Sequence, residues 1–319
     1  VRQAAQMLRV RDKQLWGRIE HYVTEARRKQ DMSKVSLVGI DETSLRKGQH
    51  YVTVFHDLDA KRLLFATPGK DHKTVEAFAQ DLEAHGGERT AIAHACMDMS
   101  AAFLKGATQY LPNALVSYDR FHIVALANEA MDEVRSAEWK AEAARVRDEL
   151  GALSPKERRS ILWGMRRNPS SWSTVQLTAM HWLQRANLKS ARAWRLKMAL
   201  REMFAHARGH NQVSLAAVDL KKWISWARRS RLASFKRLAA TLKTHFDAVV
   251  RGMLDNRSNA FVEAMNGLMQ QAKRAARGFR TATNFINIAY LRLSKLTHLP
   301  QSPFTPAVPL FAGLTIHRV

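Results

Sequence analysis

Three short segments each place one carboxylate at the edge of an apolar stretch. They are Val38-Gly39-Ile40-Asp41-Glu42, Ala95-Cys96-Met97-Asp98-Met99 and Arg257-Ser258-Asn259-Ala260-Phe261-Val262-Glu263-Ala264-Met265-Asn266. The first two are typical of strands that end in an aspartate, and the third of a helix that carries a glutamate among asparagines. This set is the one with which enzymes hold two Mg²⁺ ions about 3.5–4 Å apart for an in-line phosphoryl transfer. We therefore predict Asp41, Asp98 and Glu263 as catalytic metal ligands.

Either aspartate alone is more simply explained as a loop cap or turn former, and only the pair, in this order of elements, favours a metal site. Mg²⁺ is the expected ion because it prefers oxygen ligands, and Mn²⁺ can substitute for it. Asp119 also ends an apolar stretch and competes with Asp98 for the second ligand position. We favour Asp98, and expect Asp119 to play a supporting part. His122 either contacts the scissile phosphate or holds the sheet edge in place.

The helix that carries Glu263 has a polar face. Asn259 lies four residues before Glu263 and Asn266 three after it, so the three share a face that continues into amides and cations. A metal ligand supported by Asn259 and Asn266 and followed by phosphate contacts would produce this pattern, and an ordinary solvated face is the alternative. The cations on this face that we predict to contact DNA are Lys273, Arg274 and Arg277.

The composition points to a polyanionic partner. The chain has 319 residues, with 51 Lys or Arg against 28 Asp or Glu, and a formal net charge of +23. Nucleic acid is the default partner for such a charge. The basic residues predicted to follow phosphates in the second half of the chain are Arg228, Arg229, Lys236 and Arg237. Their binding should weaken steeply with salt, since each neutralised phosphate releases counterions.

A single cysteine, Cys96, excludes a disulfide framework and a zinc finger within these residues, so no zinc site is expected. A reducing cytoplasmic setting agrees best with this. We find no apolar run of 18 or more residues and expect no membrane span. Because the sequence begins at Val1, inside a helical pattern, we expect it to be a fragment with an upstream part missing.

Residues 1–30 are predicted to form a helix-turn-helix and a linker. Apolar residues are spaced for two short helices around a tight turn, and the second would present Lys13 and Arg18 to DNA. A helical hairpin docked on the next domain is the alternative, and the pattern does not separate the two. The run from Arg27 to Asp31 is predicted to be a solvated linker.

Residues 31–124 are predicted to form the first part of an α/β domain. Three strands with short links, at about 36–40, 51–55 and 62–66, indicate an antiparallel meander. Asp57 and Asp59 have the spacing of a metal pair, but a hairpin turn explains them better. A helix at 75–85, a strand at 91–97, a helix at 101–110 and a strand at 114–118 follow. This is the order of a mixed, RNase H-like sheet, in which the fourth strand adjoins the first and brings Asp41 beside Asp98.

Residues 125–255 are predicted to be an all-helical insertion, and 256–319 the last part of the catalytic core. The core part contains the Glu263 helix, ended by Gly278, a second helix from about 283 to 295, and a tail. The tryptophans of the insertion belong either to its core or to a surface that stacks on an extruded base. They are Trp163, Trp172, Trp182 and Trp194.

These motifs, with Asp119-Arg120-Phe121-His122 and the run from Lys273 to Phe279, resemble the DDE transposases of bacterial insertion sequences. The similarity is strongest to the ISL-three branch, in which a helical insertion separates the second aspartate from the glutamate. It covers nearly the whole chain, including the segment Trp194 to Phe204. The resemblance implies an RNase H-like core, Mg²⁺ dependence and recognition of terminal inverted repeats. Family members usually carry an upstream Cys-rich zinc module, which this sequence lacks.

The predicted function is cleavage of DNA at insertion-sequence ends and joining of the freed 3′-hydroxyl to target DNA. The partners are therefore double-stranded DNA of the terminal repeats and of the target. Pairing of two ends predicts a homodimer or a larger assembly. Two alternatives remain from the sequence: a metal-dependent nuclease or resolvase that does not join strands, and a non-catalytic DNA-binding protein derived from a transposase.

Overall fold

A five-stranded mixed sheet lies at the centre of the fold. The computed structural model describes residues 1–46, 50–151, 153–210, 212–254 and 259–300. The strands are β1 (Leu37–Arg46), β2 (His50–Asp57), β3 (Arg62–Pro68), β4 (His94–Met97) and β5 (Leu115–Tyr118). Their order is β3-β2-β1-β4-β5, with β1 to β3 antiparallel and β4 and β5 parallel to β1. The predicted mixed sheet, the meander and the pairing of the fourth strand with the first are confirmed.

Two predicted strand limits are wrong. β1 continues through Asp41 to Arg46, because β2 remains hydrogen-bonded along its other side, where Asp41 pairs with Val54. Asp41 therefore lies within the strand, just beyond the stretch that pairs with β4. The fourth strand begins at His94, since Arg89–Ala91 forms a 3₁₀ turn.

Helices cover both faces of the sheet. On one face lie α3 (His72–Ala84) and α4 (Ala101–Tyr110), whose apolar side chains join those of Val38 and Ile40 in the largest core cluster. The opposite face carries a second cluster. Its helices are α2 (Asp12–Arg28), α13 (Asn259–Ala275) and α14 (Ala282–Leu293), and its strand residues include Leu45, Val52 and Val54. The sheet is thus the middle of three layers.

Between Arg120 and Leu254 the described residues contain helices and no strand, in agreement with the predicted helical composition. The eight α-helices are α5 (Arg120–Ala141), α6 (Ala143–Leu150), α7 (Pro155–Arg166), α8 (Thr174–Arg185), α9 (Lys189–His210), α10 (Val213–Arg229), α11 (Ala233–Thr244) and α12 (Phe246–Leu254). Their buried side chains belong to the same core cluster as α3 and α4, so the helical segment and the sheet share one core. No described helix is both long and apolar enough to cross a bilayer.

At the start of the chain, α1 (Arg2–Met7) and α2 form a hairpin, and α2 docks on the sheet. Trp16, Ile19 and Val23 of α2 pack into the second core cluster. The arrangement agrees with the docked-hairpin interpretation of residues 1–30. A helix-turn-helix that reads DNA stays a prediction, and Lys13 and Arg18 are exposed on α2 as that prediction requires.

The predicted solvated linker at Arg27 to Asp31 is wrong at its first residues. α2 extends to Arg28, and Arg27 is 9% exposed. The Arg27 guanidinium pairs with Asp81 of α3 at 2.6 Å and donates a hydrogen bond to the hydroxyl of Tyr290 in α14. Burial raises the pKa of Tyr290 to about 12. Arg27 therefore joins one helix from each face of the sheet.

The free edge of β5 is covered by α12. The Arg251 Nε donates to the Val116 carbonyl at 2.7 Å, and Gly252 lies directly on the Tyr118 backbone. A Cβ on Gly252 would lie 2.1 Å from the Tyr118 carbonyl oxygen, so the approach requires glycine. An uncovered strand edge exposes unpaired backbone groups, and α12 removes that exposure here.

Gly252→Ala should reduce the free energy of unfolding by about 1–3 kcal/mol. The new Cβ would clash with the Tyr118 backbone, and no rotamer change can relieve such a clash. Gly17→Ala is the matched control, since Gly17 lies within α2 and its Cβ would meet nothing within 4 Å. That change should be neutral or should stabilise by up to about 1 kcal/mol. Denaturant unfolding of both variants measures the difference. Equal effects at the two positions would show that α12 does not press on β5.

The helical segment buries a lysine. Lys197 of α9 is 2% exposed, and its Nζ donates to the Met165 carbonyl. Burial, with a smaller contribution from Arg201, lowers its pKa to about 8 from 10.5. The unfolded chain therefore binds more protons than the folded one between about pH 8 and 10.5, and folding is favoured as the pH rises through that window.

Lys197→Met should remove this dependence. Relative to the variant, the wild type should gain up to about 3 kcal/mol in free energy of unfolding between pH 8 and pH 10.5, and nothing between pH 6 and pH 7. Lys236→Met, at an exposed position of α11, is the control and should show no such difference. Urea titrations at a series of pH values give the comparison. A flat wild-type minus variant difference would contradict the lowered pKa.

Candidate active site

Three aspartates lie in register across three neighbouring strands. Gly39 of β1 pairs with Cys96 of β4, and Cys96 pairs with Ser117 of β5. Asp41, Asp98 and Asp119 each follow two residues after one of these paired positions. Side chains alternate along a strand, and Asp98 and Asp119 directly follow β4 and β5, so the two-residue step directs all three toward the face that α13 covers. Together with His122 and Val262 they line one small cleft.

Each aspartate accepts a local hydrogen bond that orients it. The Glu42 amide donates to Asp41 Oδ1 at 2.6 Å, and the Ser100 amide donates to Asp98 Oδ1 at 3.2 Å. Asp119 is the N-cap of α5 and accepts from the Phe121 amide at 2.8 Å. Asp41 also receives a side chain from another layer, since Asn266 donates to its Oδ2. Asp119 is thus partly engaged in capping a helix.

The cleft is electrostatically costly. Burial raises the pKa of Asp41 to about 6, against the opposing effects of His122, Glu42 and Asn266, and the charge of Asp98 raises it further. Burial also raises the pKa values of Asp98 and Asp119. The nearby charges of His122, Lys70 and Arg120 oppose these shifts only in part, so the cleft favours either proton uptake or a bound cation.

His122 lies in the first turn of α5, three residues after Asp119. Its Nε2 is 4.0 Å from Asp41 Oδ1, and its side chain is 41% exposed. The contact is too long for a hydrogen bond but close enough for the charge of His122 to lower the pKa of Asp41. The half-exposed ring lies on the open side of the cleft.

Helix α13 is attached to β1 by three hydrogen bonds along its polar face. Asn266 contacts Asp41, the Gln270 Nε2 donates to Thr43 Oγ1 at 2.7 Å, and the Lys273 Nζ donates to the Ser44 carbonyl at 2.8 Å. Successive contacts lie about one helical turn apart on α13, and two residues and then one residue apart on β1. This set of contacts, here called the α13–β1 ladder, fixes the position of the helix over the sheet.

The start of α13 lies over the cleft. Val262 packs against Leu58 and Cys96, and the Phe261 ring meets buried His56 edge-on with centroids 5.8 Å apart. Glu263 belongs to this helix and lies one turn before Asn266. The side chains of Glu263 and Asn259 fall outside the described residues, so their roles stay predictions.

The cations predicted to contact DNA differ in their surroundings. Arg237 pairs with Glu133 of α5, and Lys273 takes part in the α13–β1 ladder, so neither is free of protein partners. The other cations predicted to contact DNA in the second half of the chain are exposed. They are Arg228, Arg229, Lys236, Arg274 and Arg277. Contact with DNA stays a prediction for all of them.

Among the insertion tryptophans, Trp172 and Trp194 pack together with ring centroids 6.0 Å apart, and Trp172 donates to the Gly164 carbonyl at 3.0 Å. These contacts are those of core residues. Trp163 is 55% exposed, so of these three it is the one placed to meet a base.

Over the part of the chain that the structure describes, no three His, Cys, Asp or Glu side chains form a metal-holding group. The donors present nevertheless match a hard divalent ion. Asp41 is buried and Asp98 partly buried, and both are oxygen donors with raised pKa values. The buried Asn266 Oδ1 has no partner among the described residues. A third carboxylate from the start of α13 would complete an oxygen ligand set suited to Mg²⁺.

Comparison with known proteins identifies the family of this chain. The sequence model of the ISL3-type DDE family, described as a transposase, matches residues 38–289. The chain belongs to this transposase family. The matched region begins within β1, before Asp41, and ends within α14.

Two kinds of relative illustrate the similarity. The transposase for insertion sequence element IS1557 of Mycobacterium tuberculosis is 33% identical over 282 residues, which cover 83% of this chain and 61% of that protein. The transposase for insertion sequence element IS1001 of Bordetella parapertussis is 26% identical over 261 residues, covering 81% of this chain and 61% of that protein. The chain therefore spans about three fifths of the length of these curated relatives.

Sequence reasoning missed the α13–β1 ladder. Thr43 and Ser44 carry no signal beyond strand alternation, and the face of α13 that holds Gln270 and Lys273 was predicted to contact DNA. The alternation of Asp41 and Thr43 on one face of β1, matched to amides a turn apart on a helix, is the signal that could have found it.

Gln270→Leu should lower the free energy of unfolding by about 1 kcal/mol, since it removes the hydrogen bond to Thr43. Gln271→Leu is the control, because Gln271 is the neighbouring glutamine on the exposed side of α13. A double-mutant cycle of Gln270→Leu with Thr43→Val should give a coupling energy of about 0.5–1.5 kcal/mol. Additive effects in that cycle would show that the two side chains do not interact in solution.

Proposed function

We propose that this chain is the catalytic part of a transposase that cleaves DNA at insertion-sequence ends and joins the 3′-hydroxyl to target DNA. The observation that carries the proposal is the register of Asp41, Asp98 and Asp119 on one face of the sheet, in a chain of this family. An RNase H-like core interrupted by a DNA-binding helical insertion is the architecture that we propose for it.

Asp41, Asp98 and Glu263 are the proposed metal ligands, with Mg²⁺ as the ion. Bound divalent ions at such a site neutralise the charge on the transferred phosphoryl group and activate the attacking oxygen. Asn266 orients Asp41 through its hydrogen bond to Oδ2. Asp119 is a positioning residue, because its capping of α5 places His122 at the cleft. His122 is exposed enough to meet the scissile phosphate.

The proposed partners are double-stranded DNA of the terminal inverted repeats and of the target, bound by a homodimer or larger assembly. A net charge of +23 supports a polyanionic substrate. Location in the cytoplasm with the bacterial nucleoid follows from such a substrate and belongs to the same proposal.

Cleavage and joining of a labelled duplex carrying the element's end, in Mg²⁺, test the proposal. Asp41→Asn, Asp98→Asn and Glu263→Gln should each lower both rates by 100-fold or more, since each removes a charged ligand, while DNA binding persists. Asp119→Asn should keep partial activity, because an asparagine can still cap α5. Asp59→Asn, in the exposed turn after β2, is the control and should match wild type.

Three results would count against parts of this assignment. An active Asp98→Asn variant together with an inactive Asp119→Asn variant would make Asp119 the metal ligand and Asp98 the positioning residue. Cleavage without joining would indicate a nuclease. A wild-type chain that binds the ends and cuts in neither Mg²⁺ nor Mn²⁺ would overturn the catalytic proposal.

A further inference from the structure

A groove of about 600 Å³ lies on the helical segment, between the last turns of α10 and the corner where α11 meets α12. Its lining contains four cations and no carboxylate. The cations are Lys221, Arg228, Arg229 and Lys243, and they surround Ile224, Ser225 and Phe246. We call this feature the basic groove.

The cations of the basic groove are not offset by carboxylate partners among the residues that the structure describes. None of the four forms an ion pair with another residue in the described ranges. Elsewhere on the same helical segment cations do have carboxylate partners, as in Arg166 with Asp132 and Lys189 with Glu142, both at 2.5 Å. Four like charges around one concavity repel one another unless an anion binds there, so the groove is electrostatically suited to a polyanion.

The floor of the basic groove is apolar and partly aromatic. Phe246 and Ile224 form it, and the Lys221 Nζ lies 5.6 Å from the centroid of the Phe246 ring. Grooves that hold a nucleic-acid strand combine cations along the backbone with aromatic surface beneath sugars and bases. A small anion would use the charges alone and would leave this floor uncovered.

The basic groove is connected to the candidate active site through one corner of the fold. Phe246 begins α12, the helix that covers β5. The preceding residue, His245, is hydrogen-bonded through Nδ1 to the Tyr118 hydroxyl at 3.2 Å, and Tyr118 directly precedes Asp119. A cavity of about 450 Å³ lies at the same corner, and its lining includes His245, Tyr118 and Met99. The corner that carries the groove is therefore joined, through His245 and Tyr118, to the strand that Asp119 follows.

We propose that the basic groove binds the sugar–phosphate backbone of the DNA that leaves the candidate active site. This deepens the proposed function and rests on it for the identity of the polyanion. It divides the cations predicted from sequence: Arg228 and Arg229 act together with Lys221 and Lys243, whereas Lys236 and Arg237 lie outside the groove.

Two adjacent lysines of α10 provide the matched test. Lys221 lines the groove, whereas Lys222 does not and lies 3.9 Å from Asp219. Lys221→Gln should weaken binding of a 30-base-pair duplex about threefold to tenfold and reduce the salt slope by about one, as expected for one lost phosphate contact. Lys222→Gln removes the same charge, but its affinity for the duplex should stay within twofold of that of the wild type. Equal losses for the two variants would overturn the proposal.

The double variant Arg228→Gln/Lys243→Gln extends the test to both sides of the groove. It should lower affinity by at least 30-fold and the salt slope by about two, with an unchanged unfolding midpoint. The same titration is repeated with single-stranded DNA of equal length. The form of DNA for which the double variant loses more affinity is the form that the groove binds. Wild-type affinity of this double variant for both forms of DNA would refute the proposal.

The groove proposal and the catalytic proposal can be tested independently of each other. Binding is measured in the Asp41→Asn background, so a loss caused by groove substitutions is independent of cleavage. A chain that binds DNA through the groove but never cuts it would contradict only the catalytic proposal. A chain that cuts DNA normally and binds it equally well with either lysine replaced would contradict only the groove proposal.

Discussion

The short parallel pairing of β1 with β4 is the constraint on which the site depends. Only Leu37 to Gly39 pair with His94 to Cys96, yet this fixes the register of every side chain beyond it. A slip of one residue would turn either Asp41 or Asp98 to the opposite face, where the largest core cluster lies. The apolar residues that alternate with the aspartates, such as Ile40 and Met97, make that slip costly, so core packing enforces the geometry of the carboxylates.

The second constraint is the attachment of α13. The fold places Asp41, Asp98 and Asp119 in one small cleft where burial raises their pKa values, and this opposes stability when no cation is bound. The α13–β1 ladder and the packing of Val262 on Cys96 hold the helix in place despite that cost. The contacts of α13 therefore offset part of the cost of burying these carboxylates.

The order of the elements could be predicted from sequence because it depends on local periodicity: the meander, the parallel strands and the helical segment were all visible. The positions of Asp98 and Asp119 at strand ends followed from the same patterns. The extension of β1 beyond Asp41 could not be predicted, since it depends on continued pairing with β2. Arg27 was read as solvated because its partners, Asp81 and Tyr290, are distant in sequence. The α13–β1 ladder was missed for the same reason, as long-range contacts between ordinary polar residues leave no local signal.

The contact of Gly252 with Tyr118 also bears on how such chains can vary. The helical segment leaves the sheet at Arg120, directly after β5, and returns through α12 to lie on that same strand. The two ends of the helical segment therefore lie within one strand's length of each other. The number of helices between them does not affect that distance. Helices could be gained, lost or exchanged between these two points at a small entropic cost that grows only slowly with length. The surface of the helical segment can diverge while the aspartates keep their register.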